Sequence, residues 1–276
     1  MRLAISNIAW DVSEDKDVAR LLKEFNIDAI DVAPGKYFSR PGNASDKDIE
    51  KVKNWWADHG IEITGMQSLL FGTNGLNLFG ERQVQDAMLE HLAAICRIGG
   101  ILGAPRLVFG SPKNRDRTGL NDSQALDKAV NFFGRLGDIA RSAGVVICLE
   151  PNPKRYGANF MTSSWETAQV VEAVNHCAIR MQLDTGALAI NNESPEDVVQ
   201  NSAKLIGHIH ASEPGLSPLG GSDVNHHIFH RALVKHLSEH IVTIEMVATT
   251  DEPHLVSIER ALSCAVNCYQ PPQGVI

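Results

Sequence analysis

Four short apolar runs in the second half of the chain each close on a side chain that can bind a metal. They read Ile147-Cys148-Leu149-Glu150, Met181-Gln182-Leu183-Asp184, Gly207-His208-Ile209-His210 and Thr243-Ile244-Glu245. A charge left unpaired beside an apolar stretch is costly to desolvate. Three carboxylates converging on one place also raise each other's pKa. A divalent cation answers both problems. Three carboxylate oxygens and one imidazole suit Mn²⁺, Mg²⁺, Co²⁺ or Zn²⁺, whereas a thiolate-rich set would point to zinc. Taken singly, the residues have ordinary explanations: a Glu paired with a loop cation, an Asp184-Thr185-Gly186 turn, a satisfied interior His210. Their recurrence at equivalent places on neighbouring runs favours one shared ion. Glu150 and Glu245 can each bind it through one oxygen and keep the other for proton transfer.

Such a cluster needs a scaffold that aligns strand ends. Short β-branched or apolar runs near Leu3–Ser6, Ala29–Val32, Glu62–Met66, Arg106–Phe109, Val145–Leu149, Arg180–Asp184, Ile206–Ala211 and Val242–Glu245 read as eight strands. The first belongs to an apolar stretch that runs from Met1 to Trp10. Between the strands lie segments with apolar residues at helical spacing. Examples are Val18, Leu21, Leu22 and Phe25; Val52, Trp55 and Trp56; Met88, Leu92 and Ile95; and Val130, Phe133, Leu136 and Ile139. Ser45-Asp46-Lys47-Asp48 and Thr162-Ser163-Ser164-Trp165-Glu166 carry helix-start signals, and His59-Gly60 and Ala143-Gly144 carry stop signals. Strands alternating with helices imply parallel pairing through right-handed crossovers. Eight repeats predict closure into a single (β/α)8 TIM barrel over residues 1–270, with 271–276 as a loosely held tail. A doubly wound sheet would announce a Gly-rich phosphate loop after the first strand; Ser6-Asn7-Ile8-Ala9-Trp10 has no glycine. Active sites of such barrels sit at the C-terminal ends of the strands, where the four metal-competent residues fall.

The 276 residues suit one barrel of about 250 residues better than two average domains. Hydrophobic residues at 43% and charged residues at 21% are the balance of an ordinary globular protein with a core that needs no disulfides. Five cysteines, an odd number without a C-x-x-C pair, argue against a disulfide framework and for a reducing compartment. The expected location is cytoplasmic, with no signal peptide and no membrane contact. A net charge of −8 opposes nucleic-acid binding, which needs clustered Lys and Arg. The expected partner is a small molecule; a homo-oligomer stays open.

Glu150-Pro151-Asn152, Gln182-Leu183-Asp184-Thr185-Gly186, Gly207-His208-Ile209-His210 and Thr243-Ile244-Glu245 together resemble the sugar-phosphate isomerase/epimerase family of xylose-isomerase-like barrels. Ketose 3-epimerases and hydroxypyruvate isomerase belong there, with apurinic-site endonucleases as distant relatives. The resemblance implies one Mn²⁺-like ion on Glu150, Asp184, His210 and Glu245, with Glu150 and Glu245 as the acid/base pair. It implies a small sugar or sugar-phosphate substrate. Metal on a ketose carbonyl and its neighbouring hydroxyl acidifies the C–H between them. Proton return to the opposite face is epimerisation; return to the adjacent carbon is aldose–ketose isomerisation. Trp10 resembles the aromatic wall that these enzymes set against sugars, and otherwise caps the core.

The sequence also departs from that pattern. Ala187 stands where ketose 3-epimerases carry a substrate-binding His, and Leu216 where they place an Arg. Gln67 or Ser68, Gly110 and Ala187 stand where apurinic-site endonucleases hold further zinc ligands, and Asn225 replaces the acid of their Asp-x-His pair with His227. DNA incision is therefore disfavoured. Lys113, Arg115, Lys154 and Arg155 are loop cations, one of which could grip a phosphate or carboxylate. Glu213 binds substrate or anchors its own loop. Of His226, His227 and His230, His227 is the one placed to reach the site. His208 shares the inward face with His210 and either orients it or fills the interior, where Cys148, Gln182 and Thr243 pack. Two other functions compete: a metal-dependent dehydratase of an inosose-like substrate, and a non-catalytic sugar-binding barrel.

Overall fold

The computed structural model describes residues 1–271. Eight parallel strands close a barrel in sequence order: β1 Arg2–Ser6, β2 Ala29–Val32, β3 Glu62–Met66, β4 Arg106–Phe109, β5 Val146–Leu149, β6 Ile179–Asp184, β7 Ile206–Ser212 and β8 Ile241–Glu245. Closure is made by β1 against β8, with Leu3 opposite Val242 and Ile5 opposite Ile244. Each expected strand is present: β2, β3 and β4 with the expected bounds, and the other five with one end moved by one residue. The apolar stretch at the N-terminus is shorter as a strand than its composition suggests. Ser6 caps a 3-10 turn over Asn7–Ala9, which ends the strand and turns the chain across the mouth. Residues 272–276 of the expected tail lie outside the described residues.

The helical shell follows the apolar stripes. Val18 and Leu22 are buried on Asp15–Glu24, and Met88, Leu92 and Ile95 on Arg82–Leu102. On Asp122–Ser142 the buried stripe is Ala129, Phe132, Phe133, Leu136 and Ala140. Val130 and Ile139 flank it at partial exposure. Ser45 and Ser163 accept from the Asp48 and Glu166 backbone N–H groups, so both predicted helix starts are capped. Gly144 has φ +72°, a left-handed conformation that glycine adopts without cost at a helix end.

The barrel interior departs from the usual branched aliphatic layers. Asp31, Thr64, Gln182, His208, His210 and Thr243 are all buried there. The ladder shifts register at Ile30/Asp31 between β2 and β3, and at Met181/Gln182 between β6 and β7. Gly65 pairs with Asp31, and a Cβ at Gly65 would lie 2.6 Å from Asp31 Oδ1. Gly65 therefore makes the space that the buried carboxylate fills. Gly65→Ala should destabilise the fold by about 1–3 kcal/mol through overpacking. Gly134, mid-helix with open space around it, should instead gain roughly 0.5–1 kcal/mol on substitution by Ala. Urea unfolding of the two variants checks both signs; equal effects would refute the steric argument.

Candidate metal centre

The four strand-closing residues meet at the C-terminal mouth. Asp184 and Glu245 are the last residues of β6 and β8, and Glu150 follows β5 directly, its N–H donating to Phe109 O at 3.1 Å. His210 lies in β7 opposite Asp184. One ligand atom from each of Glu150, Asp184, His210 and Glu245 falls within 4.8 Å of the others. His210 Nδ1 is 3.2 Å from Glu245 Oε2 and 3.5 Å from Glu150 Oε1. Among the described residues, no lysine or arginine forms an ion pair with any of the three carboxylates.

Each side chain is held by its own neighbourhood. Asp184 caps the helix Thr185–Asn191 by accepting from the Ala187 N–H at 2.6 Å, and its second oxygen accepts from Ser212 Oγ at 2.6 Å. The Asp-Thr-Gly sequence is thus a helix start rather than a free turn. Asn152 Nδ2 donates to Glu150 Oε2 at 3.2 Å, and Gln67 Nε2 donates to Glu245 Oε1 at 2.6 Å. A Cβ at Gly110 would lie 2.0 Å from Glu150 Oε2, so glycine after β4 is what admits that carboxylate.

The electrostatics carry the marks of a site short of positive charge. Burial, then repulsion from Glu245 and Glu150, pushes the Asp184 carboxyl up to about 7. Burial works against the His210 cation, but Glu245 and contacts with Asp31 and Glu150 hold it well above the usual imidazole range. Burial also works against the Glu245 anion, and His210 with Gln67 outweighs it, so that carboxyl lies below its ordinary value. Glu150 Oε1 is buried with no hydrogen-bond partner. An orphaned carboxylate oxygen beside two more carboxylates and an imidazole nitrogen is a donor set that fits a divalent cation with oxygen and nitrogen ligands.

Beneath the cluster lies a layer whose key member the sequence did not single out. Asp31 is fully buried and contacts His208 Nε2 at 2.5 Å, with Thr64 Oγ1 donating to its other oxygen at 3.1 Å. His210 Nε2 is 3.9 Å from Asp31. His208 therefore links the interior to Asp31 and packs edge-on to His210, with ring centroids 5.2 Å apart. The available signal was a lone acid inside the apolar run Ala29–Val32. Gln182 is more than packing: with its amide turned to suit its neighbours, it donates to His208 O and accepts from the His210 N–H.

Several candidates fall elsewhere. Trp10 has no exposed surface; its indole packs edge-on against Trp56, and Nε1 donates to Asp15 at 2.7 Å. It offers no face to a sugar. Glu213 is buried and anchors its loop by accepting from the Gly220 N–H at 2.6 Å. His227 is exposed and sits 3.7 Å from Cys268 on the helix His254–Tyr269, away from the cluster. Arg115 is fully buried rather than a loop surface cation, and donates to Glu150 O at 2.7 Å. Lys154 and Arg155 line a cavity of about 530 Å³ with Thr162, Ser163 and Asn191, and no cluster residue borders it.

The charge balance predicts how the metal-free fold responds to pH. The Asp184 carboxyl is raised in the fold, so its stability contribution is lost as pH rises from its unfolded value, near 4, to about 7. The imidazolium of His210 is also favoured by the fold, so its contribution is lost as pH climbs past its unfolded value. Chelator-treated protein should therefore melt lower at about pH 8 than at about pH 5, while Mn²⁺ should raise Tm more at the higher pH, where protons compete less. Asp184→Asn should flatten the fall and weaken the metal response. Thermal scans with and without metal check this; a Tm indifferent to both pH and metal would count against a cation site.

Comparison with known proteins places the chain. Its coordinates superpose on D-psicose 3-epimerase with D-tagatose from Clostridium cellulolyticum H10 at a TM-score of 0.81 and 16% identity, covering 98% of this chain and 99% of that one. L-ribulose 3-epimerase matches at 0.79 and 15% identity over 98% and 94% of the two chains. The IolI protein with a bound zinc atom matches at 0.76 and 15% identity over 98% of each. At these identities the likeness shows the fold. No curated protein matches the sequence. The family model described as xylose isomerase-like TIM barrel matches residues 19–264, and the chain belongs to that family.

Proposed function

We propose that the protein is a metal-dependent epimerase or isomerase of a small polyhydroxy ketone or sugar. The observation that carries this reading is the buried set of three carboxylates and one imidazole within 4.8 Å, with no lysine or arginine paired to it among the described residues. Glu150, Asp184, His210 and Glu245 would hold one divalent ion, Mn²⁺ by preference. The ion would supply Lewis acidity to a carbonyl and its neighbouring hydroxyl, making the intervening C–H acidic.

The chain's own residues then have distinct tasks. Glu245 has one oxygen turned to His210 and the other to Gln67. Glu150 has Oε1 without a partner and Oε2 bound to Asn152. They come from β5 and β8, three strands apart around the barrel. One can take the proton while the other returns it to the opposite face, which inverts the carbon. Return to the neighbouring carbon gives isomerisation. Asp184 accepts from Ala187 N on one oxygen and from Ser212 Oγ on the other, which fixes its carboxylate as a ligand that holds charge in place. Enzymes of known structure with this fold that act on D-psicose and L-ribulose support the choice of substrate class.

Protein loaded with Mn²⁺ should place deuterium from D₂O on recovered substrate in a panel of ketoses and ketose phosphates. Glu150→Gln and Glu245→Gln should each slow turnover about 10²–10⁴-fold. Mass spectrometry and NMR of the products check both. Deoxy or unsaturated products would replace the proposal with dehydration; binding without any exchange would replace it with a sugar-binding role.

A further inference from the structure

Gln67 follows β3 and is almost fully buried beside the cluster. Its Nε2 donates to Glu245 Oε1 at 2.6 Å. A carboxylate facing this amide accepts, so the bond fixes which way the amide points: nitrogen toward Glu245, oxygen away. The oxygen of that amide, Gln67 Oε1, is buried with no hydrogen-bond partner. Buried amide oxygens without a donor are uncommon in folded proteins. Glu245 turns its other oxygen to His210 Nδ1 at 3.2 Å, so the oxygen that Gln67 holds is the one directed away from the imidazole.

We propose that Gln67 is a substrate-contacting residue that reads a free hydroxyl: its Oε1 accepts from a hydroxyl of the bound polyol while its Nε2 holds the Glu245 oxygen that does not face His210. The proposal rests on the epimerase or isomerase reading above. The two ends of one amide group are adjacent. The hydroxyl that Oε1 reads therefore lies on the carbon next to the one whose proton Glu245 handles, not on the reacting carbon itself, whose hydroxyl the ion would hold. The substrate class is then narrower than a sugar: an α-hydroxy ketone that carries a further, unsubstituted hydroxyl at that neighbouring carbon. Phosphate or methyl ether there would leave Oε1 facing an oxygen with no proton to give.

Gln67→Met keeps the side-chain length and removes both hydrogen bonds. With Mn²⁺-loaded protein, KM and kcat are measured for an accepted ketose and for its analogues lacking one hydroxyl at a time. The parent should disfavour one deoxy analogue by about tenfold or more in kcat/KM, the factor of a single hydrogen bond. Gln67→Met should lose at least that factor on the full ketose, since Glu245 is also released, and treat that analogue as its equal, with Mn²⁺ affinity by titration within about threefold of the parent. Gln67→Ala provides the same comparison if the methionine does not fold. A parent active on ketoses but indifferent to every missing hydroxyl overturns the Gln67 proposal alone. So does a variant that keeps the parent's discrimination, which would mean that Oε1 meets only water. Loss of Mn²⁺ binding on substitution overturns it too, since Gln67 would then act only through the cluster. A parent that neither turns over nor binds any polyol defeats the functional reading, and this proposal with it.

Discussion

Three carboxylates at the mouth of one barrel are the constraint to which the surrounding structure answers. At separations of no more than 4.8 Å, each like-charged pair repels by about 3–4 kcal/mol even at an effective dielectric of about 20. Three such pairs rival the whole net stability of a domain, about 5–15 kcal/mol. A protonated His210 at similar distance cancels the mutual repulsion pair for pair, yet leaves two buried negative charges unanswered. This is why burial and its neighbours leave Asp184 reluctant to ionise while His210 clings to its proton. A divalent ion with neutral His210 as a ligand reduces the excess to one negative charge, and brings the positive charge closer to every oxygen than an imidazole nitrogen can come.

Holding that cluster in place requires a polar interior where barrels ordinarily pack branched aliphatics. Asp31 and His208 form a buried pair directly beneath it, tied to Thr64. Removing His208 from this pair costs more than the pair itself contributes, because a wholly buried Asp31 carboxylate is left without its partner. The backbone pays for the arrangement in space rather than in strain. Gly65 clears room for Asp31, and Gly110 clears room for Glu150. Both glycines serve close approach to a carboxylate rather than a special backbone angle.

The architecture was legible because period-two and helical patterns alternate without interruption and because Ser45, Ser163, Gly60 and Gly144 punctuate the elements where they should. The cluster was legible because its members share one place in a repeating unit, the end of a strand. What lay outside that rule was harder to see. Trp10 and Arg115 sit in loops that look exposed in sequence but fold inward, where the indole and guanidinium are wholly buried. His227 lies beside a buried His226, and a helix turns neighbours to different faces, so adjacency said nothing about reach. Asp31 was hidden because one acid in an apolar run carries no spacing to compare; its partner His208 is 177 positions away.

The distribution of the cluster also explains why a shared fold leaves the substrate undetermined. Its four members come from four consecutive strands, β5 to β8, so the charge occupies one half of the mouth. The other half touches it at few points, chiefly Gly110, Arg115 and Gln67, so the rest of its loops can change without disturbing it. Among the described residues of β1 to β4 and their loops, Gln67 is the one whose side chain hydrogen-bonds to a cluster carboxylate. Arg115 reaches the same region but binds only the Glu150 backbone, fixing where the strand ends rather than where the carboxylate points. Requirements for the charge centre and for whatever lies against it are therefore carried by different strands, and they meet at Glu245.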